Sequence, residues 1–129
     1  MRIAPTTLAL PALALLALGG CATIPSPVRS DGFARLGEAT RAGPLVVRAD
    51  EVQEDSRCPM NARCIWAGRV VLAVTVTDAG STQRRSVTLG EPSLTRDGAL
   101  VLDSVEPPTR TDVPIRRGDY RFHFRYDPR

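Results

Sequence analysis

The stretch Arg69-Val70-Val71-Leu72-Ala73-Val74-Thr75-Val76-Thr77 is dense in β-branched residues and steps by two, so that Val70, Leu72, Val74 and Val76 share one side. Branching at Cβ suits a pleated strand with one packed face, and the period of two names that face. Trp66 and Gly68 fall in phase with the same row. On that phase Trp66 reads as a core residue at the head of the strand, with Gly68 marking a bulge or a close backbone approach.

A second segment alternates as cleanly. In Tyr120-Arg121-Phe122-His123-Phe124-Arg125-Tyr126 four aromatics take one face and Arg, His, Arg the other, a strand with a core side and a water side. Weaker strands follow the same rule: Leu45 to Val52 with Leu45, Val47 and Ala49 inward, Arg85 to Leu89 with Val87 and Leu89 inward, and Leu100 to Val105. Asp78-Ala79-Gly80-Ser81 reads as a hairpin turn, Asp97-Gly98 as another turn, and Pro107-Pro108 ends a strand. Val113 and Ile115 suggest a short edge piece, interrupted by Pro114, which cannot donate to a ladder. Phe33 to Thr40 is the one stretch that suggests a helical turn or two, stopped by Gly43-Pro44. Five or six short strands must cover one another's apolar faces, because no substantial helix is available to do so. The expected fold is all-β with little helix: a small antiparallel β-sandwich, or alternatively a partly open β-barrel. The connection from Glu106 to Gly118 is long enough to carry the chain between sheets.

Composition narrows the function classes. All 17 basic residues are arginine, against 14 Asp and Glu, in a chain of 129 residues with 11 prolines and 10 glycines. The near balance of charge, with the arginines scattered, is not that of a polyanion binder. In the Tyr120 to Tyr126 strand aromatics and arginines fall on opposite faces, whereas base stacking with phosphate contact needs both together. No nucleic-acid partner is expected.

The first twenty residues read as an export signal. Arg2 is the only early charge, and the apolar run from Leu8 to Leu18 is eleven residues, about half of the ~20 a membrane-spanning helix needs. Leu18-Gly19-Gly20-Cys21 resembles the lipobox of bacterial lipoproteins. The resemblance implies that Cys21 receives a diacylglycerol and, after cleavage, becomes the acylated first residue. Several acyl chains at ~0.8 kcal/mol per buried CH₂ make such an anchor effectively permanent. Ala22, rather than an aspartate, follows the cysteine, which in those lipoproteins implies the outer membrane, facing the periplasm. Residues 21–32, with the proline-rich "ATIPSPVRSDG", read as a lipidated, flexible tether, and 33–129 as a single β-domain. Extended at ~3.3–3.6 Å per residue, the tether holds the domain about 35–40 Å from the lipid.

Between the strands lies "DSRCPMNARCIWAG", Asp55 to Gly68, with Cys58 and Cys64 separated by five residues. Zinc sites space paired cysteines by two to four residues and add a second pair or histidines, and thiol-disulfide enzymes use C-x-x-C. Neither pattern is present, and export delivers the pair to an oxidising compartment, so a Cys58–Cys64 disulfide is expected. Two readings of the loop stand side by side. It is a purely structural staple, or it is also a rigid recognition knob with Arg57, Met60, Asn61 and Arg63 at its tip and Trp66 beside it. Asp55-Ser56-Arg57-Cys58-Pro59, four residues, then Cys64-Ile65-Trp66-Ala67-Gly68 resembles a signature of small bacterial exported proteins and lipoproteins, with "LDSVEPP" at Leu102 to Pro108 and "DYRFHF" at Asp119 to Phe124 fitting the same pattern. That family carries no assigned activity, so the resemblance implies compartment and domain type and no catalytic residue.

Asp50, Glu51, Glu54 and Asp55 lack the alternating oxygen ligands and glycine of a calcium loop and read as a solvated turn, with Glu51 or Glu54 able to pair with Arg57 or Arg63. His123 is the lone histidine, with no carboxylate in its own strand to orient it and no nucleophile evident from spacing. No catalytic residue, metal site or cofactor is therefore expected. The expected function is a non-enzymatic, lipid-anchored envelope domain that binds a protein or envelope component. The alternatives are a small inhibitor or stress-protection lipoprotein acting through the loop, and a metal-binding protein or enzyme using the acidic patch with His123.

Overall fold

A computed structural model describes residues 20–129; the leader assigned to 1–20 lies, apart from Gly20, outside the described residues. Eight strands follow in chain order: β1 (Phe33–Ala34), β2 (Ala39–Ala42), β3 (Leu45–Asp55), β4 (Val70–Asp78), β5 (Ser81–Thr88), β6 (Pro92–Leu94), β7 (Gly98–Glu106) and β8 (Arg121–Pro128). They form two four-stranded antiparallel sheets, ordered β2-β3-β4-β5 and β1-β8-β7-β6. The sheets stay separate, so the molecule is a small β-sandwich rather than a barrel.

The two alternating segments supply the centre. Val70, Leu72, Val74 and Val76 of β4 are buried beside Leu45, Val47 and Ala49 of β3 and face Phe122 and Phe124 of β8 with Leu100 and Leu102 of β7. Tyr120 and Tyr126 pack half-buried at the ends of the aromatic row. The Asp78–Ser81 turn closes the β4–β5 hairpin with Ala79 and Gly80 both at positive φ, 46° and 83°, the backbone that best matches strand twist. Two register shifts in β3, between Ala49 and Glu51 and between Val52 and Glu54, interrupt the alternation. They bring Val52 against the core and leave Glu51 and Gln53 outside.

Four expectations are corrected. Phe33 to Thr40 is not helical: Phe33 and Ala34 pair with His123 and Phe122, and Ala39 onward pairs with β3. The connection after Glu106 does not change sheets, because β7 and β8 are neighbours; the chain crosses between β1 and β2 and between β5 and β6. Val113 and Ile115 form no strand; the segment from Pro107 to Tyr120 instead lies across one end of the sandwich and holds one 3₁₀ turn, Arg117–Asp119. Trp66 is outside the core at 82% exposure. Among the described residues, backbone pairing with the sheets begins at Arg29, inside the stretch read as tether, where a parallel bridge joins Arg29 to Thr40.

Candidate functional site

The connection from β3 to β4 is pinned three times. At its base Ser56 N–H donates to the Arg69 carbonyl at 2.8 Å and Arg69 N–H donates to Ser56 Oγ at 3.0 Å. Gly68 sits at φ +70°, and a Cβ there would collide with the Ser56 carbonyl. Strand pairing therefore starts only at Val70, and the two-residue phase that placed Trp66 inward ends at Gly68. Above the base, Cys58 and Cys64 form the expected disulfide with Cα atoms 5.8 Å apart.

The third pin comes from the segment after β7. Met60 N–H donates to the Thr109 carbonyl at 2.9 Å, Thr109 Oγ1 donates to the Arg57 carbonyl at 3.2 Å, and Asn61 exchanges two bonds with Thr111, at 2.8 and 3.0 Å. Beneath them, Arg57 lays both arms of its guanidinium on Asp55, each at 2.8 Å, and also donates to the carbonyls of Val105 at 2.9 Å and Pro107 at 3.1 Å. Tyr120 Oη donates to Asp55 Oδ2 at 2.9 Å. The side chains of Arg57 and Asp55 are 15% and 9% exposed. Burial alone raises the Asp55 carboxyl, but the bonds from Arg57 and Tyr120 outweigh it and hold its pKa below the ordinary carboxylate value.

The residues proposed for the tip thus divide. Arg57 and Asn61 are brace rather than tip, turned toward the 107–111 segment by hydrogen bonds across about 50 positions of sequence, which local pattern does not report. Met60 at 68% exposure and Trp66 face solvent, as does Arg63, which has no ion-pair partner among the described residues. Ile65, absent from the sequence-based set, is the most exposed large apolar side chain of the described residues at 93%. Its signal was the glycine at Gly68: a positive φ there uncouples everything before it from the strand.

The remaining candidates do not converge. Asp50 accepts from Arg48 and Thr75, Glu54 from Arg69 and Ser56, and Asp55 belongs to the brace, so the acidic patch is a set of separate pairs along β3. Glu51 approaches Arg84 at 3.8 Å. His123 lies in the other sheet, where Asp103 of the neighbouring strand reaches its Nδ1 at 3.1 Å and also accepts from Arg125 at 2.7 Å. Among the described residues no three His, Cys, Asp or Glu side chains form a metal-binding group. A surface cleft of about 410 Å³ beside the brace is bounded by Pro107, Pro108, Arg35, Arg121, Glu106 and Asp119, and its mixed charge favours neither a cationic nor an anionic ligand. Cys21 is a free, exposed cysteine.

Compared with protein-family models, curated proteins and solved structures, the chain matches none of them.

Proposed function

We propose that this chain is a non-enzymatic, lipid-anchored protein of the bacterial envelope, held in the outer membrane through Cys21 and facing the periplasm, that binds an envelope component through the clasped β3–β4 loop. One observation carries the reading. Ile65 and Trp66, two of the largest apolar side chains, stand exposed on a connection fixed by a disulfide, a base and a lateral brace. An apolar pair of this kind costs solvation while free, and a loop ordered in advance loses little entropy on contact. Trp is also the residue most enriched among side chains that dominate contact energies.

The test is a photo-activatable cross-linker at Ile65 of the anchored chain in cells. The reading expects an adduct to an envelope component, lipid or protein, that disappears with Trp66→Ala while the domain stays folded. Absence of any adduct removes it. The same rigidity supports a second reading, an inhibitor or stress-protection lipoprotein whose loop fills another protein's cleft. Assays of the purified domain against envelope proteases and lysozymes separate the two.

A further inference from the structure

The approach of the chain to the sandwich indicates what the loop meets. Arg29 lies parallel to β2: its N–H donates to the Ala39 carbonyl at 3.0 Å and its carbonyl accepts from Arg41 at 2.9 Å. Because β2 is antiparallel to β3, the chain reaching Arg29 descends from the end of the sandwich where β3 finishes at Asp55. That is the end bearing the clasped loop and the 107–120 segment. Cys21 precedes Arg29 by eight residues, a reach of ~26–29 Å when extended. From Val47, level with Thr40, β3 also runs eight residues to Asp55. The direction of the chain at Arg29, continued over that reach, brings a lipid on Cys21 to the loop end.

The distribution of side chains agrees. Of the exposed large apolar residues among those described, Ile24 and Val28 lie on the approach, and Met60, Ile65, Trp66 and Val113 lie at the loop end; Leu94 lies elsewhere. Arg63, Arg116 and Arg117 occupy the same end without an ion-pair partner among the described residues. Tryptophan with apolar neighbours suits the layer between headgroups and acyl chains, and arginine suits the phosphates above it.

We propose that the Met60, Ile65 and Trp66 tip seats in the interfacial layer of the same bilayer that holds the lipid on Cys21, with Arg63 on the headgroup phosphates. This deepens the reading of the loop as a contact surface and rests on it and on the anchor at Cys21. Two attachments, one covalent and one through the tip, fix the orientation of the sandwich on the membrane. The anchor makes the second contact intramolecular, so that a tip too weak to bind lipid alone is still held.

The chain from Cys21 onward contains both sheets and tests this directly. Its only free thiol is Cys21, because Cys58 and Cys64 are joined, so it couples at that position to a maleimide-bearing lipid in vesicles of phosphatidylethanolamine and phosphatidylglycerol. Trp66 is the only tryptophan, and its emission reports the tip alone. Coupling is expected to move that emission to the blue, and bromine high on the acyl chains is expected to quench it more than bromine near the bilayer centre. Ile65→Ser, an exposed position where folding is undisturbed, is expected to remove most of both effects. Water-like, unquenched emission from the coupled chain overturns the proposal. So does a cellular cross-link from Ile65 to protein with none to lipid, an outcome that leaves the broader reading of the loop intact.

Discussion

Tyr120 donates its phenolic proton to Asp55 Oδ2 at 2.9 Å, and this bond ties the chain entering β8 of one sheet to the end of β3 in the other. The same carboxylate holds both arms of Arg57, whose remaining donors serve the carbonyls of Val105 and Pro107 at the end of β7. The brace thus closes the mouth of the sandwich and sets the floor of the clasped loop at once. Arg57→Ala leaves a largely buried carboxylate short of its cation and two carbonyls short of donors. It is expected to cost about 2–4 kcal/mol of unfolding free energy, and Arg57→Lys to recover only part, since an ammonium does not reproduce the fork. Denaturant melts of the three chains check this; a lysine variant as stable as the parent removes the fork from the account.

The brace also makes stability depend on pH. Asp55 has a folded-state pKa below its ordinary value, so its contribution is complete above the unfolded carboxylate pKa of ~3.9 and is lost as pH falls through the folded value. Tyr120 moves the other way. Burial first, and then the bond to Asp55, push its phenol up to about 12. A phenol that ionises later in the folded state is fully stabilising below its unfolded pKa of ~10 and loses that contribution as pH rises above it. The stability difference between parent and Tyr120→Phe should therefore shrink in alkali, between about pH 10 and 12. A difference constant across that range means that the hydroxyl is not held by Asp55.

What the sequence disclosed follows the range of the forces involved. Val70 to Val76 and Tyr120 to Tyr126 were legible because a strand buried on one face writes its period into consecutive residues. Phe33 to Thr40 is not legible as strand because two- and four-residue strands are made by their partners, His123, Phe122, Leu45 and Arg48, and not by local propensity. At the site, the Cys58–Cys64 pairing is legible from the spacing, which fits neither a zinc site nor a C-x-x-C enzyme, together with the expectation of export. The roles of Arg57 and Asn61 depend on Pro107 and Thr111, some fifty residues away, and left no local trace.

The disulfide is one of three pins and not the sole support. Joining Cys58 to Cys64 closes a short loop, so the chain-entropy model gives it ~2–2.5 kcal/mol. Cys58→Ser with Cys64→Ser should lower stability by about that amount and leave the sandwich folded, because Asn61 to Thr111 and Ser56 to Arg69 still hold the loop. Amide hydrogen exchange should quicken within residues 58–67 and stay unchanged in β4 and β8. Global unfolding of the double variant shows instead that the clasp carries the domain.

Gly68 and Trp66, two positions apart, should respond in opposite ways. Gly68→Ala forces a Cβ into the Ser56 carbonyl at a backbone of φ +70°, conditions under which about 2 kcal/mol or more is lost. Trp66→Ala removes the larger side chain by far, yet at 82% exposure it has little packing to lose and should change stability by no more than about 0.5 kcal/mol. The ordering inverts what side-chain size suggests and separates the structural part of the loop from the part available for contact. Thermal melts of the two single variants measure it. A Trp66→Ala variant that is the more destabilised of the pair returns Trp66 to the core and removes the basis for a contact surface at the tip.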